Sequence, residues 1–226
     1  MKILALETTS LSGGVALLDD SEVIGIEDLA ADQRSAGYLA PAISRLLERH
    51  QHGPRDIELV AVASGPGSFT GLRVGITTAK TFAYVTKCDV LGVNSLQAIA
   101  MGYPDECSRL SVVLDAQRKE LFVAEFAVDG QSIPRTLQET TILSRADWIS
   151  SVQDDPGCVV TGPGLGKIVD DLPDTIRVGD SKVWRPTATS IGRLASQLFA
   201  SGERTDLWSM APNYFRKSAA EENAGK

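Results

Sequence analysis

Apolar runs separated by turn residues dominate the first hundred positions. Residues 2–6 form a short apolar run suited to a buried strand. Ser12-Gly13-Gly14 supplies turn chemistry, residues 15–18 are apolar, Asp19-Asp20 turns again, and residues 23–26 return to apolar side chains. This predicts an antiparallel meander of two or three strands. The period then changes. Leu39, Ile43 and Leu46 recur at helical spacing with Ala36, Ala40 and Leu47 beside them; Ser35 is the expected N-cap and Gly53-Pro54 the stop. Residues 57–63 are almost continuously apolar, as expected of a strand covered on both faces. Residues 64–75 make a glycine-rich loop leading into a second helix that ends near Lys87. A strand over 90–93 and a short helix, capped by Ser95 and reaching about Met101, complete a β-β-β-α-β-α-β-α order.

The second half partly repeats this style. Strands are expected over 110–114, 121–128 and 158–161, and Trp148 falls in a helix after Ser144. Gly162-Pro163-Gly164-Leu165-Gly166 follows the last of these strands. Residues 190–199 form an amphipathic helix with Ile191, Leu194, Ala195 and Leu198 on one side. Small and polar residues from Arg216 onward predict a frayed tail. No linker or short-period repeat divides the chain, so two closely packed α/β lobes are expected. They cover 1–103 and 104–216, with 217–226 as tail.

Composition narrows the function. The 226 residues are 43% hydrophobic and 23% charged, ordinary values for a globular chain. The net charge is -7 and no Lys/Arg-rich run occurs, a poor basis for gripping nucleic acid alone. Cys88, Cys107 and Cys158 are widely spaced and odd in number, which fits reduced core residues. The opening MKILALETTS reads as a strand rather than a signal peptide, and no stretch approaches the ~18 apolar residues of a membrane span. A soluble, cytoplasmic protein is the expectation.

Two features carry candidate chemistry. Gly65, Pro66, Gly67 and Gly71 lie between a buried strand and a helix N-terminus, where free N–H groups and the helix dipole favour anions. The spacing matches neither a Walker loop nor G-x-G-x-x-G. Two readings remain: an anion cradle, or a preformed turn whose glycines permit close packing. The helix that follows has only Arg73, Lys80 and Lys87 charged between 72 and 87. Leu72, Ile76, Ala79 and Ala83 form one stripe, and Val74, Thr78, Thr81 and Val85 a second. Two uncharged stripes imply burial on two sides, within this chain or against a partner.

Several motifs resemble the TsaB (YeaZ) family, in order along nearly the whole chain. They are residues 1–7 with Thr8-Thr9-Ser10; the run Gly65-Pro66-Gly67-Ser68-Phe69-Thr70-Gly71-Leu72-Arg73-Val74-Gly75; Gly92-Val93-Asn94-Ser95-Leu96; residues 115–122, similar to D-A-R-x-x-E-V-Y; and Pro212-Asn213-Tyr214-Phe215-Arg216, similar to P-x-Y-L-R. The resemblance implies a two-lobed α/β fold of the actin-like and sugar-kinase ATPase superfamily with a degenerate nucleotide site. It implies a catalytically silent subunit that binds and activates TsaD for transfer of threonylcarbamoyl to the anticodon-adjacent adenosine of tRNAs reading A-starting codons. A TsaE-type ATPase and tRNA join through the complex, and the same surface makes homodimers. The partner-binding helices carry Ser35, Leu39, Ile43, Leu46, Val74, Thr78, Thr81 and Val85. No cofactor is expected in this chain; whether nucleotide sits at the interface with the partner stays open. Ser35 stands where many members carry His, Asn94 replaces a Ser, and Gln117 an Arg.

The superfamily also suggests a stand-alone ATPase or peptidase. Its degenerate cleft would use Glu7, Thr8, Thr9 and Asp115, yet neither phosphate segment has the glycine that lets backbone approach phosphate. His50 and His52, two residues apart, point about 200° from each other on a helix and form no shared metal face. Ser68 and Thr70 have no histidine near them in sequence, and the G-x-S-x-G elbow is absent.

Overall fold

The computed structural model describes residues 1–10, 13–29, 36–130 and 132–216. Ser35, the expected N-cap and the position where relatives carry His, lies outside the described residues, as does the tail over 217–226. Two five-stranded sheets share one plan. In the first, β1 (Lys2–Glu7), β2 (Gly14–Asp19) and β3 (Glu22–Asp28) form an antiparallel meander. β4 (Leu59–Gly65) then lies parallel to β1, and β5 (Asp89–Asn94) parallel to β4, giving the order β3-β2-β1-β4-β5. The second sheet contains β6 (Cys107–Gln117), β7 (Glu120–Val128), β8 (Arg135–Ser144), β9 (Cys158–Thr161) and β10 (Arg177–Val178). Its order, β8-β7-β6-β9-β10, repeats the first strand for strand, with the same parallel and antiparallel pairs.

Period-two alternation explains why the first sheet is buried on both faces. Leu4 and Leu6 of β1, with Val60 and Val62 of β4, face α1 (Ala36–Arg49) and α2 (Phe69–Thr86). Ile3, Ala5, Leu59 and Ala61 face the other way and meet Ile191, Leu194 and Ala195 of the chain's last described helix, Ala188–Ala200. Each such Leu or Ile contributes roughly 1.5–3 kcal/mol by leaving water. A short helix, α3 (Ser95–Met101), sends Ala98 into that second layer and Leu96, Ile99 and Ala100 against β6 and β7, so it belongs to both lobes. In the second lobe α4 (Arg145–Val152) buries Trp148 completely, and its indole N–H donates to Ser111 Oγ at 3.0 Å.

Three expectations are corrected here. The helix over 188–200, hereafter α5, packs on β1 and β2, so the lobe boundary of 1–103 and 104–216 fails: the last stretch returns to the first lobe. Leu207 and Met210 follow it there, packed in the layer under α1 and α2. Helix starts also shift: Asn94, not Ser95, caps α3 through the Leu96 and Gln97 amides, and Thr187 caps α5. Finally, β8 had not been anticipated. Apart from Leu137 the exposed residues of its sequence, RTLQETTILS, are polar, and pairing to β7 supplies the order that hydrophobicity does not.

Candidate functional site: the interlobe cleft and the outer face of the second helix

Most of the segments singled out from sequence, though not Gly92-Val93-Asn94-Ser95-Leu96, converge on a cleft of about 620 Å³ between the lobes. Thr9 and Ser10 reach it from the end of β1, Pro66 to Phe69 from the glycine loop, and Asp115 to Arg118 from the end of β6. The β1 turn is held by Glu7. Its carboxylate is fully buried and accepts from the Thr9 N–H at 2.7 Å, Thr9 Oγ1 at 2.5 Å and Ser10 Oγ at 2.6 Å. Burial pushes the Glu7 pKa up, and the bonds from Ser10 and Thr9 only partly offset it. Thr8 Oγ1 donates to the Gly71 carbonyl at 2.7 Å.

The glycine loop is pressed onto this turn. A Cβ placed on Gly67 would sit 2.6 Å from Thr9 Cβ; one on Gly71 would overlap the Thr8 carbonyl oxygen, and one on Gly75 the Thr8 hydroxyl. Real side chains do not approach so closely, so these positions need glycine for packing against the turn that follows β1. Ser68 caps α2, its Oγ accepting from the Gly71 N–H at 3.3 Å. Of the two readings of the loop, the turn that permits close packing accounts for these glycines. The second glycine run behaves alike. Gly162, at φ +113°, lies against the Val113 backbone and opens a short 3-10 turn, Pro163–Lys167.

Asp115 closes the opposite wall. It accepts from Lys167 Nζ at 2.5 Å and the Gln117 N–H at 3.0 Å, with Arg145 4.0 Å away. Burial would raise its pKa, but Lys167, the Gln117 amide and Arg145 outweigh burial and hold it below the usual carboxylate range. Beyond it, Gln117, Arg118 and Lys119 all adopt positive φ (68°, 54° and 63°), a left-handed hairpin tip costing roughly 1–2 kcal/mol per residue. Sequence reasoning gave the final segment no place in the cleft, yet Asn213, Tyr214, Phe215 and Arg216 line it. Only the closing motif itself pointed there. The histidines are elsewhere: His50 follows α1 with its ring against Gly25, and His52 Nδ1 lies 3.9 Å from Asp56.

The helices α1 and α2 present a different surface. Leu39, Ile43 and Leu46 face this chain's own sheet and are buried, so the expectation that they contact a partner is corrected: the outward positions of α1 include Tyr38, Pro41, Ser44 and Arg45. On α2 the second stripe does turn outward. Val74 and Thr78 are half-buried, while Thr81 and Val85 are exposed, with Thr77 and Tyr84 beside them. Val85 is 68% exposed and Tyr84 52%, large apolar side chains for an open helix face.

The family model described as TsaD, tRNA N6-adenosine threonylcarbamoyltransferase, matches residues 22–150, more than half the chain. The Bacillus subtilis tRNA threonylcarbamoyladenosine biosynthesis protein TsaB is 26% identical over 226 residues, spanning 98% of this chain and 96% of its own length. The Escherichia coli protein of the same name is 27% identical, covering 97% and 96%. The solved structure of YeaZ from Pseudomonas aeruginosa superposes with a TM-score of 0.79 at 25% identity, over 94% of this chain and 99% of that one. The chain belongs to the TsaB (YeaZ) family. Its fold, two mixed five-stranded sheets with helices in two lobes, is shared with that YeaZ structure. In this TsaB-family chain, Glu7 and Asp115 hold equivalent strand ends of the two lobes, at the termini of β1 and β6. Among the described residues, no helix is long and apolar enough to cross a membrane.

Proposed function

We propose that this protein is a non-catalytic subunit in tRNA threonylcarbamoyladenosine biosynthesis, the process named for its relatives. It binds and activates a TsaD-type catalytic relative. The observation that carries this reading is the outer face of α2, where Thr77, Thr81, Tyr84 and Val85 are open to solvent with no acidic residue on the helix. Such a face is costly to leave wet and suits a protein partner. The cleft adds support. Glu7 is buried under three donors and Asp115 is committed to Lys167, so neither acid is placed for magnesium or phosphate. The activity of the complex then resides in the partner. A TsaE-type ATPase and tRNA join through that partner, in keeping with a net charge of -7 here. Any nucleotide sits at the interface between subunits, the α1–α2 face pairs two copies when the partner is absent, and the assembly works in the cytoplasm.

Mixing the chain with a TsaD-type protein should give a co-eluting complex, and Thr81→Glu should weaken it. No complex, with or without nucleotide, would sink the proposal. Nucleotide turnover by the purified chain that disappears in Glu7→Ala or Asp115→Ala would replace it with a stand-alone enzyme.

A further inference from the structure

The side chains of the closing segment, residues 212–216, meet both lobes. We infer that this segment is an interlobe clamp, a strap that fixes how far the cleft opens. Asn213 and Tyr214 hold the first lobe. The Asn213 N–H donates to the Ser64 carbonyl at 2.8 Å and its side-chain amide to Ser64 Oγ at 3.3 Å. The Tyr214 ring stacks on Phe69 with centroids 5.1 Å apart, and its hydroxyl accepts from Arg73 Nε at 2.9 Å. The next two residues hold the second lobe. Phe215 packs edge-on against Phe122 at 6.1 Å, and Arg216 donates to the Ala116 carbonyl at 2.5 Å and pairs with Glu120.

An extended chain spans only about 3.3 Å per residue. Four consecutive residues, the first two anchored to one body and the last two to the other, leave little slack, so the lobes cannot part without breaking one set of contacts. The second-lobe anchor also has a mechanical reason to be there. Ala116 and Glu120 flank the left-handed tip Gln117–Lys119, a conformation that persists only where its surroundings hold it. In a two-lobed protein a ligand bound in the cleft can tie the lobes together. Here Tyr214, Phe215 and Arg216 line the cleft themselves and tie it from within the chain. This inference does not depend on the identity of any partner.

Interlobe distances in the full chain test it. Spin labels go on Ser44→Cys of α1 and Ser150→Cys of α4, both exposed, in a Cys88→Ser background that leaves only the buried Cys107 and Cys158. The parent should give one narrow distance distribution. Tyr214→Ala combined with Arg216→Ala should broaden it and add longer distances. Amide exchange should rise about tenfold at the 117–119 tip and at the 67–69 turn together, with β1 and β4 amides unchanged. An unaltered distribution overturns the clamp, as does faster exchange at one anchor only or throughout the chain. Should the double variant fail to fold, Arg216→Lys keeps the charge but loses the two-point grip. It should speed exchange at the tip about threefold, and no change there overturns the inference.

Discussion

The two lobes share a strand order and handle the equivalent acid in opposite ways. Glu7, at the end of β1, is sealed under its own turn and its pKa is driven up by burial. Asp115, near the end of β6, is held below the usual range because Lys167 and the Gln117 amide outweigh burial. The helices differ as well. The first sheet carries α1 and the 18-residue α2, whereas the matching places in the second carry the 8-residue α4 and short 3-10 turns. One topology has thus been given two uses. The first lobe was built outward, with a helix face larger than its own core needs, and the second was trimmed to what closes the cleft.

The largest test of this contrast lies in the smaller lobe. Trp148→Ala removes a fully buried indole and orphans Ser111, and should cost about 3–5 kcal/mol in urea unfolding. Because α3 belongs to both lobes, one cooperative transition is expected. Exchange data showing the second lobe melting alone would break that coupling. Next come the paired glycine loops. Gly71→Ala drives a Cβ into the Thr8 carbonyl and should cost about 1–3 kcal/mol, while Gly166→Ala, with open space around it, should be neutral. Equal effects would mean that the loops are not packed as described.

Association comes third. Val85→Glu should weaken binding to a TsaD-type protein by about 10- to 100-fold without lowering stability, and Ser150→Glu on α4 should do nothing. Isothermal titration with both variants separates the lobes directly. The smallest effect is on titration. Lys167→Ala should move the Asp115 carboxyl upward in an NMR titration and cost no more than about 1 kcal/mol, since Lys167 is largely exposed. The signs are opposite in the two lobes. Asp115, lowered in the folded state, contributes stability above its unfolded pKa that is lost as pH falls through the folded value. Glu7, raised in the folded state, contributes stability below its unfolded pKa that is lost as pH rises through the folded value. A Glu7 carboxyl titrating at or below the ordinary value would refute the contrast.

Local patterns made the first five strands and α2 legible, because runs such as those in β1 and β4 are apolar on both faces. The orientation of α1 was legible only in part: the stripe Leu39-Ile43-Leu46 is visible, but spacing cannot say whether a stripe faces its own sheet or a stranger. Thr9, Gly67 and Asp115 line the cleft, while Glu7 and Thr8 are buried in the turn behind it. What joined them was resemblance to a family, since spacing alone does not bring positions 9 and 115 together. The place of α5 and the contacts of Tyr214 and Arg216 were invisible for the same reason. They pair positions 96 or more residues apart, and such pairing leaves no periodic trace.

The seating of α5 on β1 also has a consequence in time. On a ribosome, β1 emerges roughly 180 residues before its cover does. At about 5–20 residues per second, one apolar face of the first sheet waits some 10–40 s for Ile191, Leu194 and Ala195 to arrive. Nascent chains of this protein therefore pass through a period of exposed stickiness, during which a chaperone that shields Ile3, Ala5 and Leu59 would limit aggregation.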